Sequence, residues 1–345
     1  MKQTFNWGII GIGKIANKFA QDLRVTPNAR LLAVASRSLD RAQQFAQQYD
    51  AEFSYGSYKE ILNTPNLHAI YIATPHVSHC ENTLMCLEHQ IPVLCEKPFA
   101  MNANEVGRMI SLARFQQTFL MEALWTRFLP TTHKVLELIE EGAIGELISV
   151  KADFGFKATF DPESRLFNPG LGGGSLLDVG IYPVFLALLL LGKPEGIKAV
   201  ASIGPSRVDE NCGIILQYTN NKMAMLHSSI IAQTPTEALI CGSLGNIRIN
   251  SRWHEPTSLT LLKEGEEPRD FFFDYNSNGY RYEIEEVMRC VRDGQQESDQ
   301  LPLDFSMDLM NLLDQIRMKA GIYYPHHDAL SKTIRVEGGT RFSMN

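Results

Sequence analysis

The sequence predicts an α/β chain in two parts, a helix-flanked parallel sheet followed by an α+β region built on an antiparallel or mixed sheet. Three observations carry this expectation. Short apolar runs alternate with amphipathic stretches in the first third of the chain. Strand-like runs then follow one another over 197–273. The 345 residues, 44% of them hydrophobic, exceed what one ordinary core uses and suit two domains.

The elements can be read in order. Phe5–Ile10 reads as a buried strand, as do 31–35, 69–73, 91–95 and 119–123. Helical patterns lie between them, at 41–49 and 79–89 among others. This alternation indicates right-handed βαβ units. The pattern changes after Pro130. A helix over 132–141 ends at Gly142, a strand covers 146–156, and 168–174 is rich in Gly and Pro. A strongly apolar helix follows at 176–191. Within 197–273, Asn220-Asn221 marks a hairpin turn and Leu244-Gly245-Asn246 another. Two helices close the chain, one on Ile284, Val287, Met288 and Val291, the other on Phe305, Leu309, Leu312, Leu313 and Ile316. They cover one face of the second sheet, and the sequence names no cover for the other. There are no internal repeats and no low-complexity segments.

Composition narrows the function classes. The net charge of -7 argues against a nucleic-acid binder. The six cysteines form no Cys-x-x-Cys pair and no zinc-ligand spacing. Free thiols in a reducing cytoplasm are the simplest reading, and the start of the chain lacks a basic-then-apolar leader. The longest apolar stretch, 184–191, is far shorter than the roughly 20 residues that span a bilayer, so a buried helix is expected and no membrane.

Directly after the first strand stands Gly11-Ile12-Gly13-Lys14-Ile15-Ala16, a Gly-x-Gly-x-x-Ala loop that opens a helix. Gly11 permits the tight turn, Gly13 lets the backbone approach a pyrophosphate, and Ala16 allows close helix–sheet packing. The helix start at Lys14 and Ile15 then offers free N–H groups to phosphates. A glycine-rich turn of some other α/β fold is the alternative. An NAD site would place Asp or Glu at the end of the second strand. Here Ser36-Arg37-Ser38 stands instead, with Arg41 one helical turn on. Ser36 can donate to a 2′-phosphate and Arg37 can grip it as a fork, so NADP is expected ahead of NAD. Arg37 as a solvated loop residue is the competing reading.

Cys95-Glu96-Lys97-Pro98 closes another strand, where open α/β sheets bind ligands. A Lys there can orient a hydroxyl, although Lys-Pro alone also marks a turn. Asp178 and Tyr182 fall on one face of the apolar helix by their i,i+4 spacing. The alternative is a structural pair, with Asp178 near the helix start and Tyr182 packed in the core. Trp125, Phe154 and Phe156 read equally well as a pocket wall and as core aromatics. His227, His254, His326 and His327 show no usable spacing.

Together these motifs resemble the Gfo/Idh/MocA oxidoreductases: the glycine loop, Ala73-Thr74-Pro75 with His79, Glu96-Lys97-Pro98, and Gly172-Gly173-Gly174-Ser175 leading to Asp178 and Tyr182. Met121 to Phe128, with Trp125 and Arg127, and Asp178 to Pro183 most resemble the dimeric dihydrodiol dehydrogenase / NADP-dependent D-xylose 1-dehydrogenase group. The resemblance spans nearly the whole chain. It implies an N-terminal Rossmann domain (1–123) and a C-terminal α+β domain with a large open, mostly antiparallel sheet (124–345). It implies a homodimer through that sheet, and hydride transfer between NADP(H) and a carbinol carbon of a sugar, polyol or cyclic diol. By motif position Lys97, Asp178 and Tyr182 are the catalytic candidates, with Tyr182 as acid/base and the Lys97 charge lowering its pKa. Thr74, Pro75, His76, His79, Glu96, Lys97, Trp125 and Arg127 join the cofactor set. Many relatives carry His in place of this Tyr, and Asn in place of His76. Two other classes stay open: an NAD(P)-dependent glycosidase of the same superfamily, and a non-catalytic NADP-binding sensor.

Overall fold

A computed structural model describes residues 4–325, 327 and 328. Its first part is a six-stranded sheet of β1 (Phe5–Ile10), β2 (Ala29–Ala35), β3 (Phe53–Tyr55), β4 (Ala69–Ile72), β5 (Val93–Glu96) and β6 (Leu120–Ala123). All pairs are parallel, in the order β3-β2-β1-β4-β5-β6. Such a sheet must be covered on both faces, which explains why β4 and β5 are buried at every position. The cover includes α1 (Lys14–Val25), α2 (Leu39–Tyr49), α3 (His79–Glu88) and α4 (Ala103–Gln116). Strand order reverses between β1 and β4, so a crevice opens at their C-terminal ends.

Two of these elements were not expected. β3 is three half-buried residues, too short to show a period. α4 carries Gly107 and only four buried residues, Val106, Met109, Ile110 and Ala113, but is capped by the Asn102 side chain, which accepts from Glu105 N–H at 2.9 Å.

After α5 (Pro130–Glu140) comes an eight-stranded sheet. Its strands are β7 (Leu147–Gly155), β8 (Gly196–Ile203), β9 (Asp209–Gln217), β10 (Met223–Ser229), β11 (Ala238–Gly242), β12 (Asn246–Ile249), β13 (Leu259–Leu262) and β14 (Arg269–Phe271). The order is β14-β13-β12-β11-β7-β10-β9-β8, and only β7 and β10 pair in parallel. Asn220 and Asn221 turn the β9–β10 hairpin with φ of 56° and 59°, the left-handed pair that such a turn requires.

The apolar helix is α6 (Ile181–Leu191), preceded by a π turn at Leu176–Gly180. The apolar segment is longer than 184–191. Pro169–Leu191, with a hydropathy of 2.0, is long and apolar enough by composition to cross a membrane, but 83% of its most apolar stretch is buried inside the protein. A helix apolar all round is a core helix here. It packs on β7 and β10 and on α8 (Leu303–Ala320). α8 also lies against α4 and β6, while α7 (Arg281–Arg292) lies against α1. The closing helices therefore join the two sheets rather than serving the second alone.

The start of the helical segment is held from three sides. Asp209 on β9 is fully buried, and its Oδ2 accepts from Leu176 N–H at 2.7 Å and Ser175 O–H at 2.9 Å. Ser228 Oγ on β10 is 3.0 Å from Ser175 Oγ, and Tyr324 O–H donates to Gly173 O at 2.9 Å. Gly174 has φ of +120°, and a Cβ there would lie 2.1 Å from Asp209 Oδ1. Gly174→Ala is expected to destabilise the protein by about 1–3 kcal/mol, the scale of one strained backbone position. An unchanged urea midpoint would show that this glycine run is not held as described.

Candidate active site

The crevice beyond β1, β2, β4 and β5 is a cavity of about 850 Å³. One end is the glycine loop. Gly11 has φ of +87°, and a Cβ on it would meet the Ala73 backbone at 2.8 Å, so only glycine fits where the loop crosses β4's end. A Cβ on Gly13 would meet nothing within 4 Å, because its side opens into the cavity. α1 starts without a side-chain cap and without an acid in its first turn, which leaves its amides free for an anion. Lys14 and Ile15 line the same wall. Ser36, Arg37 and Arg41 line the far side. Ser38 Oγ caps α2 by accepting from Arg41 N–H, while Ser36 Oγ accepts from Ser38 N–H at 3.3 Å and keeps its own hydrogen to donate. This cradle fits a dinucleotide phosphate group.

The middle of the cavity is built by the ends of β4 and β5. Thr74, Pro75, His76, His79, Glu96 and Lys97 all line it. Their roles differ. The His79 ring is fully buried, with Nδ1 2.8 Å from Pro98 O and Nε2 2.9 Å from Thr74 O, so it ties the two loops together. Both Glu96 oxygens are engaged, one by the Tyr71 hydroxyl and one by Lys97 N–H at 3.1 Å. Burial pushes its carboxyl up to about 7. His76 is buried and kept neutral by desolvation and by the nearby Arg165.

The other end holds Lys97 and Asp178, with Tyr182 buried behind them and outside the cavity's lining. Lys97 Nζ donates to Asp178 O at 2.7 Å and sits 3.5 Å from Asp178 Oδ1. It lies 4.9 Å from the centroid of the Tyr182 ring, over its face. Asp178 and Tyr182 thus converge on one lysine although the helix opens with a π turn. Burial alone would raise the Asp178 carboxyl, but the Lys97 and Arg165 charges hold it well below the usual range.

Tyr182 differs from expectation. Burial pushes its phenol well above the ordinary value, and the Glu96 charge adds to this. The Lys97 ammonium faces the ring and Asp178, and burial outweighs its pull, so the phenol is not lowered as expected. Trp125 Nε1–H donates to the Tyr182 oxygen at 2.9 Å instead.

Trp125 and Arg127 do not line the cavity. Trp125 is buried, stacked on Tyr280 at 4.4 Å. Arg127 Nε donates to Gln300 O at 2.8 Å. Motif position puts both in the cofactor set, but a short 3-10 turn at Trp125–Phe128 sends them elsewhere. Phe154 stacks with His254 at 3.8 Å and lies 5.6 Å from Tyr182, so it walls this aromatic end. Phe156 packs with the small cluster of Phe167, Val179, Val208 and Ile230.

Sequence reasoning missed Arg165, His254 and Tyr280. Arg165 forks onto Asp178 at 2.8 and 3.1 Å, but it lies in a segment without a motif of its own. His254 and Tyr280 come from connections after β12 and β14, with no spacing to link them to Tyr182. His227 lies on the second sheet's open face, and His327 pairs with Glu105 at 2.7 Å. His326 lies outside the described residues.

Comparison with known proteins places the family. Residues 5–124 match the family described as oxidoreductase family, NAD-binding Rossmann fold, and 132–248 match the GFO/IDH/MocA C-terminal domain. The chain belongs to the Gfo/Idh/MocA oxidoreductase family. Its relatives include the trans-1,2-dihydrobenzene-1,2-diol dehydrogenase of Mus musculus, 39% identical over 93% of this chain and 98% of that protein. The enzyme of that name from Danio rerio is 38% identical over 93% of this chain and 98% of its own length. A 3-ketoreductase from Actinomadura kijaniata, solved in an open conformation with TDP-benzene and NADP, superposes with a TM-score of 0.81 at 25% identity. That match covers 92% of this chain and 98% of the other. The protein is an NAD(P)-binding oxidoreductase of the dehydrogenase class, with the family's Rossmann sheet and its largely antiparallel C-terminal sheet.

Proposed function

We propose that this enzyme moves a hydride between NADP(H) and the carbinol or carbonyl carbon of a sugar, polyol or cyclic trans-diol. One observation carries the reading: a single cavity joins the glycine loop, Ser36 and Arg37 to Lys97 and Asp178. The two relatives named as diol dehydrogenases support a CH–OH substrate. Residues 1–123 would hold the cofactor and 124–345 the substrate, in a cytoplasmic enzyme whose cysteines stay reduced.

The nicotinamide supplies or takes the hydride. The chain's own residues handle position and proton. The Gly13 and Lys14 amides hold phosphate, and Ser36 and Arg37 hold a 2′-phosphate. Lys97 donates a hydrogen bond to the reacting oxygen. Tyr182 has a phenol raised above its ordinary value, so it is protonated at neutral pH. In reduction it donates that proton to the carbonyl oxygen. In oxidation it receives the hydroxyl proton, and the Trp125 hydrogen bond favours the transient phenolate.

The reading is tested with purified enzyme, NADPH or NADP, and a panel of sugars, polyols and cyclic diols. Tyr182→Phe should retain fold and NADPH affinity and lose roughly 10²–10⁴ in kcat, the usual worth of acid–base assistance. Lys97→Met should be similarly damaging, and the double variant little worse than either single one. Near-normal turnover in Tyr182→Phe would remove the proton from Tyr182. Cofactor choice is tested by Arg37→Asp, which removes a phosphate partner and adds a ribose acceptor. The NADP/NAD affinity ratio should fall by at least about tenfold, the worth of one hydrogen bond to a charged group. An unchanged ratio would end the argument for NADP.

Assembly is the last part of the proposal. The open face of the second sheet presents Val200 at 72% and Ile215 at 45% exposure, apolar residues that a second copy would cover. The enzyme should run as a homodimer through this face. Light scattering that gives only the 38.8 kDa chain would overturn this.

A further inference from the structure

Asp178 is claimed by two cations, and they do not hold it equally. Arg165 Nη1 donates to Oδ1 at 2.8 Å and Nη2 to Oδ2 at 3.1 Å, a two-pronged grip on the carboxylate. Lys97 Nζ stays 3.5 Å from Oδ1 and makes its shorter bond, at 2.7 Å, to the backbone oxygen of the same residue. An ammonium has three hydrogens. One goes to Asp178 O, and the remaining two are not locked into a tight ion pair. Arg165 also reaches His76, with Nη1 3.4 Å from Nε2. An imidazole that accepts at Nε2 carries its hydrogen on Nδ1. His76 Nδ1 is buried and has no hydrogen-bond partner among the described residues, on a residue that lines the cavity.

We propose that Arg165 is a positioning residue of the reaction: it draws the Asp178 carboxylate off Lys97, which frees the ammonium for the substrate's reacting oxygen. It also fixes His76 as an Nδ1–H donor toward the bound ligand. The inference rests on the hydride-transfer reading above. Without Arg165, the nearest cation left to Asp178 is Lys97, and a closed Lys97–Asp178 pair would withdraw both from the substrate. Among the described residues, the other groups that act on Asp178 include His76 beyond β4, Tyr182 on α6 and Tyr324 after α8, none of them a cation at neutral pH.

The test is Arg165→Ala in the full chain beside the wild type. We expect kcat/KM to fall roughly 10²-fold, the low end of what acid–base assistance contributes. The acid limb of the pH profile should move up, because Asp178 loses one of the charges that hold its carboxyl low. Added methylguanidinium should restore part of the rate and return the limb, which a general loss of structure would not allow. Nitrogen NMR of the His76 side chain should show the Nδ1–H form in the wild type and a tautomer mixture in the variant. Wild-type kcat/KM with an unmoved acid limb in Arg165→Ala would overturn the proposal. A wild-type enzyme inactive on every substrate would sink the functional reading instead. The His76 spectrum would then decide alone, and an unchanged tautomer would overturn the role of Arg165.

Discussion

The bond from Leu176 N–H to the buried Asp209 carboxylate fixes where the central helix begins, and the site depends on that start. A helix apolar on all sides has no preferred face, so packing alone would let it slide or rotate in the core. Polar anchors decide its register. Asp209, Ser228 and Tyr324 supply them from β9, β10 and the segment after α8. Once the start is set, Asp178 and Tyr182 reach the Lys97 that β5 delivers. Asp209 itself is pushed up to about 6 by burial, against the amide and hydroxyl bonds that favour its charge. It serves the fold at some cost to its own ionisation.

The N-terminal third of the protein, its Rossmann part, was largely legible in the sequence. Its signals are local: Gly11 sits where no larger residue fits, Gly13 leaves its side open to the cavity, and β4 is a continuous apolar run. Lys97, Asp178 and Tyr182 were also named from motif position, and the fold brings them together. Arg165, His254 and Tyr280 were not legible, because their importance lies in partners far along the chain. Arg165 meets its carboxylate through a segment whose path only the folded glycine run determines. The phenol rises rather than falls because burial and the Glu96 charge outweigh Lys97, and motif spacing does not show burial. Sequence says that two groups are near, but not which face of a ring the charge meets.

Electrostatics around the site are uneven. Glu96 and Glu122 are both pushed up to about 7 by burial, and Glu283 is raised well above its ordinary value. Both Glu283 oxygens lack a hydrogen-bond partner among the described residues. Glu96, which lines the cavity, and Glu283 oppose ionisation of Tyr182. Lys97 and Arg165 also line the cavity. The neighbouring acids therefore disfavour a phenolate, while Lys97 and Arg165 offer positive charge to a ligand oxygen.

The seat of α8 has a consequence for access. Its buried residues include Leu309, Met310, Leu312, Leu313 and Ile316, and it touches α4 and β6 on one side and α6 and β8 on the other. Swinging the two sheets apart like a clamshell would strip these contacts, at roughly 1.5–3 kcal/mol for each large side chain exposed. α7 holds a second brace against α1. The scaffold is thus braced, and traffic into the cavity falls to a wall outside that brace. That wall is the stretch carrying Ser164, Arg165 and Leu166, which has no regular strand and ends in three successive glycines.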